Sequence, residues 1–298
     1  MIRVDDRPPT AVETDRPRLD AFRALSYRFA VDTDLREVAD LLTDLLGDLR
    51  VPPGSGEHVY ELRREPHERP YAAYVDGELI HRVRTPLALV DEVLWHANRT
   101  ALLSPDPRIA IHASAAVWLD RGLLFPAPAN SGKTTLVAGL LCRGATYVTD
   151  EAALIDPGSG LVDPYPKPMW LAPNAIRAVA GLQDRLRPEY RELSRVRGYV
   201  TPSDVGATAA SAPTRVDFLI APTFRSGAET SLEPMSRAAG LMTLARNAFG
   251  LTPFGRDGIL ALAELVRGAD CYRLMIGDHD AAVGLVSALV HGRRDVVV

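Results

Sequence analysis

Cysteine, lysine and long apolar runs are what this 298-residue sequence has least of, and each scarcity excludes something. The two cysteines, Cys142 and Cys271, stand far apart. They leave no disulfide framework and no metal-ligand pair, so two core thiols in a reducing compartment are expected. The seven histidines show no His-Glu-x-x-His spacing, which argues against zinc. No stretch approaches the ~18 consecutive apolar residues of a membrane span. The charged, proline-rich start lacks the apolar centre of a signal peptide, so a cytoplasmic protein with no membrane partner is expected. Charge of one sign is also missing: 34 basic against 38 acidic residues leave a formal net charge of -4 and no general footprint for nucleic acid. With 47% hydrophobic and 24% charged residues, the composition is that of an ordinary globular protein whose length suits two domains.

Only Lys133 and Lys167 are lysines; every other basic side chain is an arginine. Lys133 lies in Leu123-Leu-Phe-Pro-Ala-Pro-Ala-Asn-Ser-Gly-Lys-Thr-Thr-Leu136, where an apolar strand runs through a tight loop into a helical pattern. That order suits a phosphate-binding loop, whose main-chain N–H groups and helix N-terminus surround phosphate oxygens. Ala129, Asn130, Ser131, Gly132, Lys133, Thr134 and Thr135 are its candidate nucleotide contacts. Lys133 would reach the outer phosphates, where a compact ammonium fits better than a planar guanidinium, and Thr134 would ligate Mg²⁺. Ala127 replaces the usual first glycine, which requires φ to stay negative there. Asn130 is among the residues that best tolerate the left-handed region. The plainer alternative is a helix start capped by Ser131.

Before that loop, residues 1–18 read as a mobile tail and residues 19–105 as a small α+β domain for partner binding or oligomerisation. Order is expected from about Ala24. A strand at Tyr27–Val31 leads to an amphipathic helix from Asp34 to Leu49, capped by Asp32 or Thr33. Strands at Val59–Arg63, Tyr71–Val75 and Glu78–Val83, with an Asp76-Gly77 hairpin turn, precede a helix after Pro86. His58, His67, His81 and His96 read as surface or hairpin residues. Residues 106–298 form the second domain. A long strand from Arg108 to Trp118 carries His112, and after the loop a helix to Cys142 ends at Gly144. The strand Ala145–Thr149 then delivers Asp150-Glu151 at its end, where α/β folds place ligands. Such acids beside a phosphate loop can hold Mg²⁺ or take a proton from an attacking hydroxyl. Farther on, Phe218–Pro222 and Cys271–Ile276 read as strands, Arg237–Phe249 as a helix, and a last helix begins after Asp278. Arg187–Ala212 reads as a surface loop or substrate-facing flap.

Ile111-His112, Gly122-Leu-Leu-Phe125, Ala127 to Thr135, Arg143-Gly144 and Asp150-Glu151 occur in the order found in one family. From about Arg108 to Asp156 the chain resembles the catalytic domain of HPr kinase/phosphorylase, a family similar in fold to phosphoenolpyruvate carboxykinase. The resemblance implies an α/β P-loop kinase domain using ATP and Mg²⁺. It implies Asp150 as the general base toward an acceptor serine, His112 beside it, Lys133 on the phosphates, Thr134 as a metal ligand, and Glu151 in a second acidic position that assists at the metal. Read from its residues alone, without the resemblance, His112 is a strand histidine satisfied by neighbouring backbone. The Pro-rich segment Asp163–Trp170 resembles one in non-HPr members, with Lys167 either a contact to phosphate or acceptor or a solvated loop lysine. The Glu-Ile/Val-Arg-Gly signature of the true HPr kinases is lacking, Val196-Arg-Gly198 being a faint echo, so the chain reads as a divergent, non-HPr member.

The expected function is therefore transfer of the γ-phosphate of ATP to a hydroxyl, foremost a serine of a peptide or small protein, including a modified-peptide precursor. Two alternatives stand beside it: a nucleotide-binding scaffold that transfers nothing, and a kinase of a small molecule such as free serine. Homo-oligomerisation is left open.

Overall fold

A computed structural model describes residues 20–186 and 198–292 of the chain. The expected tail, residues 1–18, and the first part of the expected flap, residues 187–197, lie outside them.

The protein is mixed α/β, built on two large sheets. Strands β1 (Ala21–Ala24), β2 (Tyr27–Thr33), β3 (Arg50–Val51), β4 (His58–Arg64), β5 (Tyr71–Val75) and β6 (Glu78–Val83) make the first sheet, ordered β3-β1-β2-β4-β5-β6. Its hairpin turns where Asp76 and Gly77 both take positive φ, 52° and 84°, the geometry an Asp-Gly pair supplies. Helices α1 (Arg36–Leu45) and α2 (Pro86–Leu103) cover the sheet. Val38, Leu42 and Leu45 of α1 meet Val90, Val93 and Ala97 of α2 over Phe22, Phe29 and Tyr60. Burying a side chain like Leu42 there stabilises by ~2 kcal/mol, which the ten-residue helix needs to persist.

Four expectations for this region are corrected. Order begins before Ala24, because β1 forms a hairpin with β2 around Leu25 at φ 57°; four residues are too few to show a period. The helix expected over 34–49 ends at Leu45 and continues as a 3₁₀ turn at Gly47–Leu49, since Gly47 is a poor helix former. Neither Asp32 nor Thr33 occupies the cap position. Leu35 does, because β2 runs on to Thr33 in register with Leu62 and the Asp32 carboxylate is taken by Arg63 at 2.6 Å. His96 is half-buried on the Tyr60 hydroxyl at 2.7 Å, not a surface residue.

The second sheet contains β7 (Ile109–Trp118), β8 (Arg121–Pro126), β9 (Thr146–Thr149), β10 (Ala152–Ile155), β11 (Val162–Asp163), β14 (Phe218–Phe224), β15 (Ser231–Pro234) and β16 (Asp270–Ile276). Its order is β11-β10-β7-β8-β14-β16-β15, with β9 also on β7. Strands β8, β14 and β16 are parallel; β9 and β10 run antiparallel to β7. Both faces are covered. Leu123 and Phe125 pack on α3 (Lys133–Leu141) and the helix His279–Val290, while Leu124 packs toward the helices Arg237–Asn247 and Gly255–Gly268. Burial on both faces is why β8 reads as an unbroken apolar run instead of an alternation. The helix Gly255–Gly268, and strands β10 and β15, were not legible in the sequence. That helix buries Gly258, Ala261, Leu262, Leu265 and Val266 on one face, with Ile259 and Leu260 exposed beside it. Strands β12 (Met169–Leu171) and β13 (Gly198–Val200) pair separately. Ala152, Leu154 and Tyr165 join the core of the first sheet, so the two layers share apolar contacts.

Candidate active site

Strand β8 ends at Pro126 and α3 begins at Lys133, so the loop of interest is Ala127–Gly132. Ala127 is not among the residues with positive φ, whereas Asn130 has φ 62° and Gly132 φ 87°. The alanine is therefore accommodated as expected, and the asparagine takes the left-handed turn. A Cβ on Gly132 would come within 3.2 Å of the His279 ring and 3.3 Å of Ile276, a tight fit at a φ that disfavours any side chain. The His279 ring in turn stacks on Phe224, centroids 5.3 Å apart. The Ala127 amide bonds to the His112 carbonyl at 3.4 Å, tying the loop to β7.

Lys133 is 5% exposed, and its Nζ donates to the Ala127 and Pro128 carbonyls at 2.7 and 2.8 Å. Burial lowers its ammonium to about 8, partly opposed by Asp150 and Glu151. The Ser131 hydroxyl is buried without a hydrogen-bond partner among the described residues. An unpaired buried hydroxyl costs ~1–3 kcal/mol. An anion in the loop would satisfy both it and the lysine, so these residues fit a phosphate group.

Strands β9 and β10 lie end to end along the same strand, β7, with Asp150-Glu151 in the break between them. Asp150 thus directly follows the C-terminal end of β9, where it was expected, and β10 takes up the pairing with β7 again after Glu151. The backbone of the break is held: the Ala113 amide donates to the Glu151 carbonyl at 3.2 Å and the Ser114 hydroxyl to the Asp150 carbonyl at 2.9 Å. The Asp150 side chain, 5% exposed, lies 3.0 Å from Lys167 Nζ and 3.0 Å from the Tyr147 hydroxyl. Glu151 lies 3.2 Å from the same ammonium and accepts from Asn98 of α2 at 3.1 Å.

Lys167 is therefore no solvated loop residue: 13% of its side chain is exposed. Burial alone would lower its ammonium, but the charges of Asp150, Glu151 and Tyr165 outweigh that and hold it above its usual value. The Pro-rich segment is strapped in place to present it. The Tyr165 amide donates to Val148 at 2.9 Å, its hydroxyl to Asn98 at 2.9 Å, and Tyr147 lies 3.0 Å from the Lys167 carbonyl.

No family model and no curated protein matches the chain. Among solved structures, the Hpr(Ser) kinase/phosphatase from Coxiella burnetii aligns over 62% of this chain and 95% of its own, at 14% identity and a TM-score of 0.28. Likeness at that score carries no argument about the chemistry, which rests on the atoms of this chain.

His112 sits opposite Ala152 in the β7–β10 register, its ring 5.7 Å from Phe249. Burial and then Lys133 lower its imidazole, with Glu151 and Asp150 opposing. No hydrogen bond joins it to Asp150 among the described residues. Of the expected residues, His112, Lys133, Asp150 and Glu151 thus share one electrostatic neighbourhood. Asn98, Tyr147 and Tyr165 complete it and were missed; nothing local in the sequence marks them. Among the described residues no three His, Cys, Asp or Glu side chains stand together to hold a metal unaided.

Proposed function

We propose that this chain is a kinase that transfers the γ-phosphate of ATP to a hydroxyl, foremost a serine of a peptide or small protein. The observation that carries the reading is the pairing of two features: an anion-ready loop with a buried lysine and an orphaned serine hydroxyl, and a carboxylate pair within that lysine's field. The loop amides, Lys133 and Ser131 would bind the triphosphate. Thr134 and a carboxylate of the acidic pair would hold Mg²⁺, which supplies charge neutralisation on the transferred group. Asp150 would orient the acceptor hydroxyl and take its proton, while Lys167 and Tyr147 fix the carboxylate in position. His112 lies close enough in charge to tune that exchange. The chain reads as a two-part molecule, 19–105 and 106–298, with the chemistry in the second part.

Incubation with γ-labelled ATP, Mg²⁺ and serine peptides tests this, with label in the peptide as the expected result. One observation favours a different outcome: Asp150 is already paired and buried, which a nucleotide-binding scaffold would tolerate. Saturable nucleotide binding with no transfer to any hydroxyl would make that second reading the correct one.

A further inference from the structure

The parallel strands β8, β14 and β16 lie side by side, and the carboxyl end of each brings something to the phosphate loop. Strand β8 runs into the loop itself after Pro126, β14 ends on Phe224, and β16 ends at Ile276, three residues before His279. Open α/β sheets hold ligands outside such carboxyl ends. Phe224 and His279 both reach the loop: a Cβ built on Gly132 would stand 3.2 Å from the His279 ring and 3.5 Å from the Phe224 Cβ.

The two rings are nearly parallel, 12° between their planes. His279 covers one face of Phe224, yet Phe224 remains 42% exposed, so its open face is the one turned away from the imidazole. Neither ring belongs to the cores on the two faces of the sheet. The imidazole also keeps a buried Nδ1 with no hydrogen-bond partner among the described residues, so it is held by ring packing. The backbone around the pair is fixed. The Arg225 amide donates to the Ile276 carbonyl at 2.9 Å, and the Thr230 hydroxyl accepts from the Gly277 and Asp278 amides at 3.1 and 2.9 Å. A side chain at Gly277 would strike the Ala228 carbonyl, so the two connections after β14 and β16 are packed against each other. Phe224 is therefore a flat apolar surface, already in place, at the edge of the loop that would hold the phosphates.

We infer that Phe224 is the base platform of the donor site: the nucleobase of the bound triphosphate stacks on its open face while His279 backs the ring. The inference rests, for the triphosphate itself, on the nucleotide-binding part of the kinase reading above. Loop amides and Lys133 meet only phosphates, which all nucleotides share. Phe224 adds a contact that only the base can make, and a purine gains more from it than a pyrimidine because its ring surface is larger.

The test is titration calorimetry on the full chain, with Mg²⁺, comparing ATP, CTP and ribose 5-triphosphate, which lacks only the base. The native chain should bind ATP about tenfold more tightly than ribose 5-triphosphate, with CTP between them. Phe224→Ala should weaken ATP about tenfold and leave ribose 5-triphosphate within about twofold. Phe224→Trp should keep the preference for ATP, and its emission, taken as the difference from the native chain, should change with ATP and not with ribose 5-triphosphate. No preference in the native chain, or a preference that survives Phe224→Ala, would overturn the inference. If Phe224→Ala loses both ligands, the Phe224→Trp emission decides: a change with ATP alone supports the platform, and no change, or an equal one with both, overturns it. Triphosphate binding without a base preference would remove the platform and leave the kinase reading standing. A Phe224-dependent preference with no label passed from γ-labelled ATP to serine peptides would keep the platform and remove the kinase reading. Binding of none of the three would remove both.

Discussion

Nucleotide binding should draw a proton into the protein, by an amount that Lys133 sets. Burial holds its ammonium at about 8 in the ligand-free chain, against ~10.4 for an ordinary lysine. Phosphate oxygens around Nζ would restore the ordinary value, so binding should take up about 0.75 proton per nucleotide at pH 8.5 and only about 0.1 at pH 7. The triphosphate itself is fully ionised at pH 8.5 and contributes little. Linkage fixes two further signs. Between about 8 and ~10.4 the unfolded chain holds a proton that the folded chain has lost, so this group's contribution to stability rises with pH across that window. Nucleotide affinity falls over the same window, because the free site must first be protonated. Titration calorimetry with an ATP analogue in two buffers of different ionisation enthalpy measures the uptake directly. A binding heat at pH 8.5 that does not depend on the buffer would refute the reasoning, as would an unaltered uptake in Lys133→Met.

Other perturbations separate the loop from the acidic pair. Lys167→Met leaves Asp150 and Glu151 together without their cation; breaking a buried pair costs ~3–5 kcal/mol, and with Glu151 part-exposed about 3 is expected. Urea denaturation should show that loss at pH 7; a difference under ~0.5 kcal/mol there would contradict the placement. Gly132→Ala, at φ 87° with His279 at 3.2 Å, should let the free loop leave this left-handed turn, and the ~1–2 kcal/mol needed to restore it should weaken binding of an ATP analogue about 5- to 30-fold. Retained affinity would mean that the loop does not hold the nucleotide in this form. At Asn130, φ 62°, glycine should keep nucleotide affinity and β-branched valine should lower it; equal binding by both would remove that turn from the account.

What could be read from the sequence was local. The loop between β8 and α3, the αL stop at Gly144 with φ 96°, the Asp76-Gly77 turn and the Asp278 cap each follow from two to six neighbouring residues. Hidden features depend on distant partners. The register that lays β9 and β10 along β7 joins residues 29 to 46 positions apart, and no pattern within Thr146–Ile155 specifies the break at Asp150. Asn98 reaches Glu151 from α2, across 53 positions. Lys167 did leave a trace, as the second lysine in a chain that otherwise uses arginine. A buried ammonium between two carboxylates explains that choice as well as a phosphate contact explains Lys133.

The most direct measurement is label transfer from γ-labelled ATP to a serine peptide pool by the full chain and by Asp150→Asn. The account predicts transfer by the native chain, and a variant that still binds nucleotide but transfers about 10²–10⁴-fold more slowly. An Asp150→Asn chain that transfers at the native rate would contradict it.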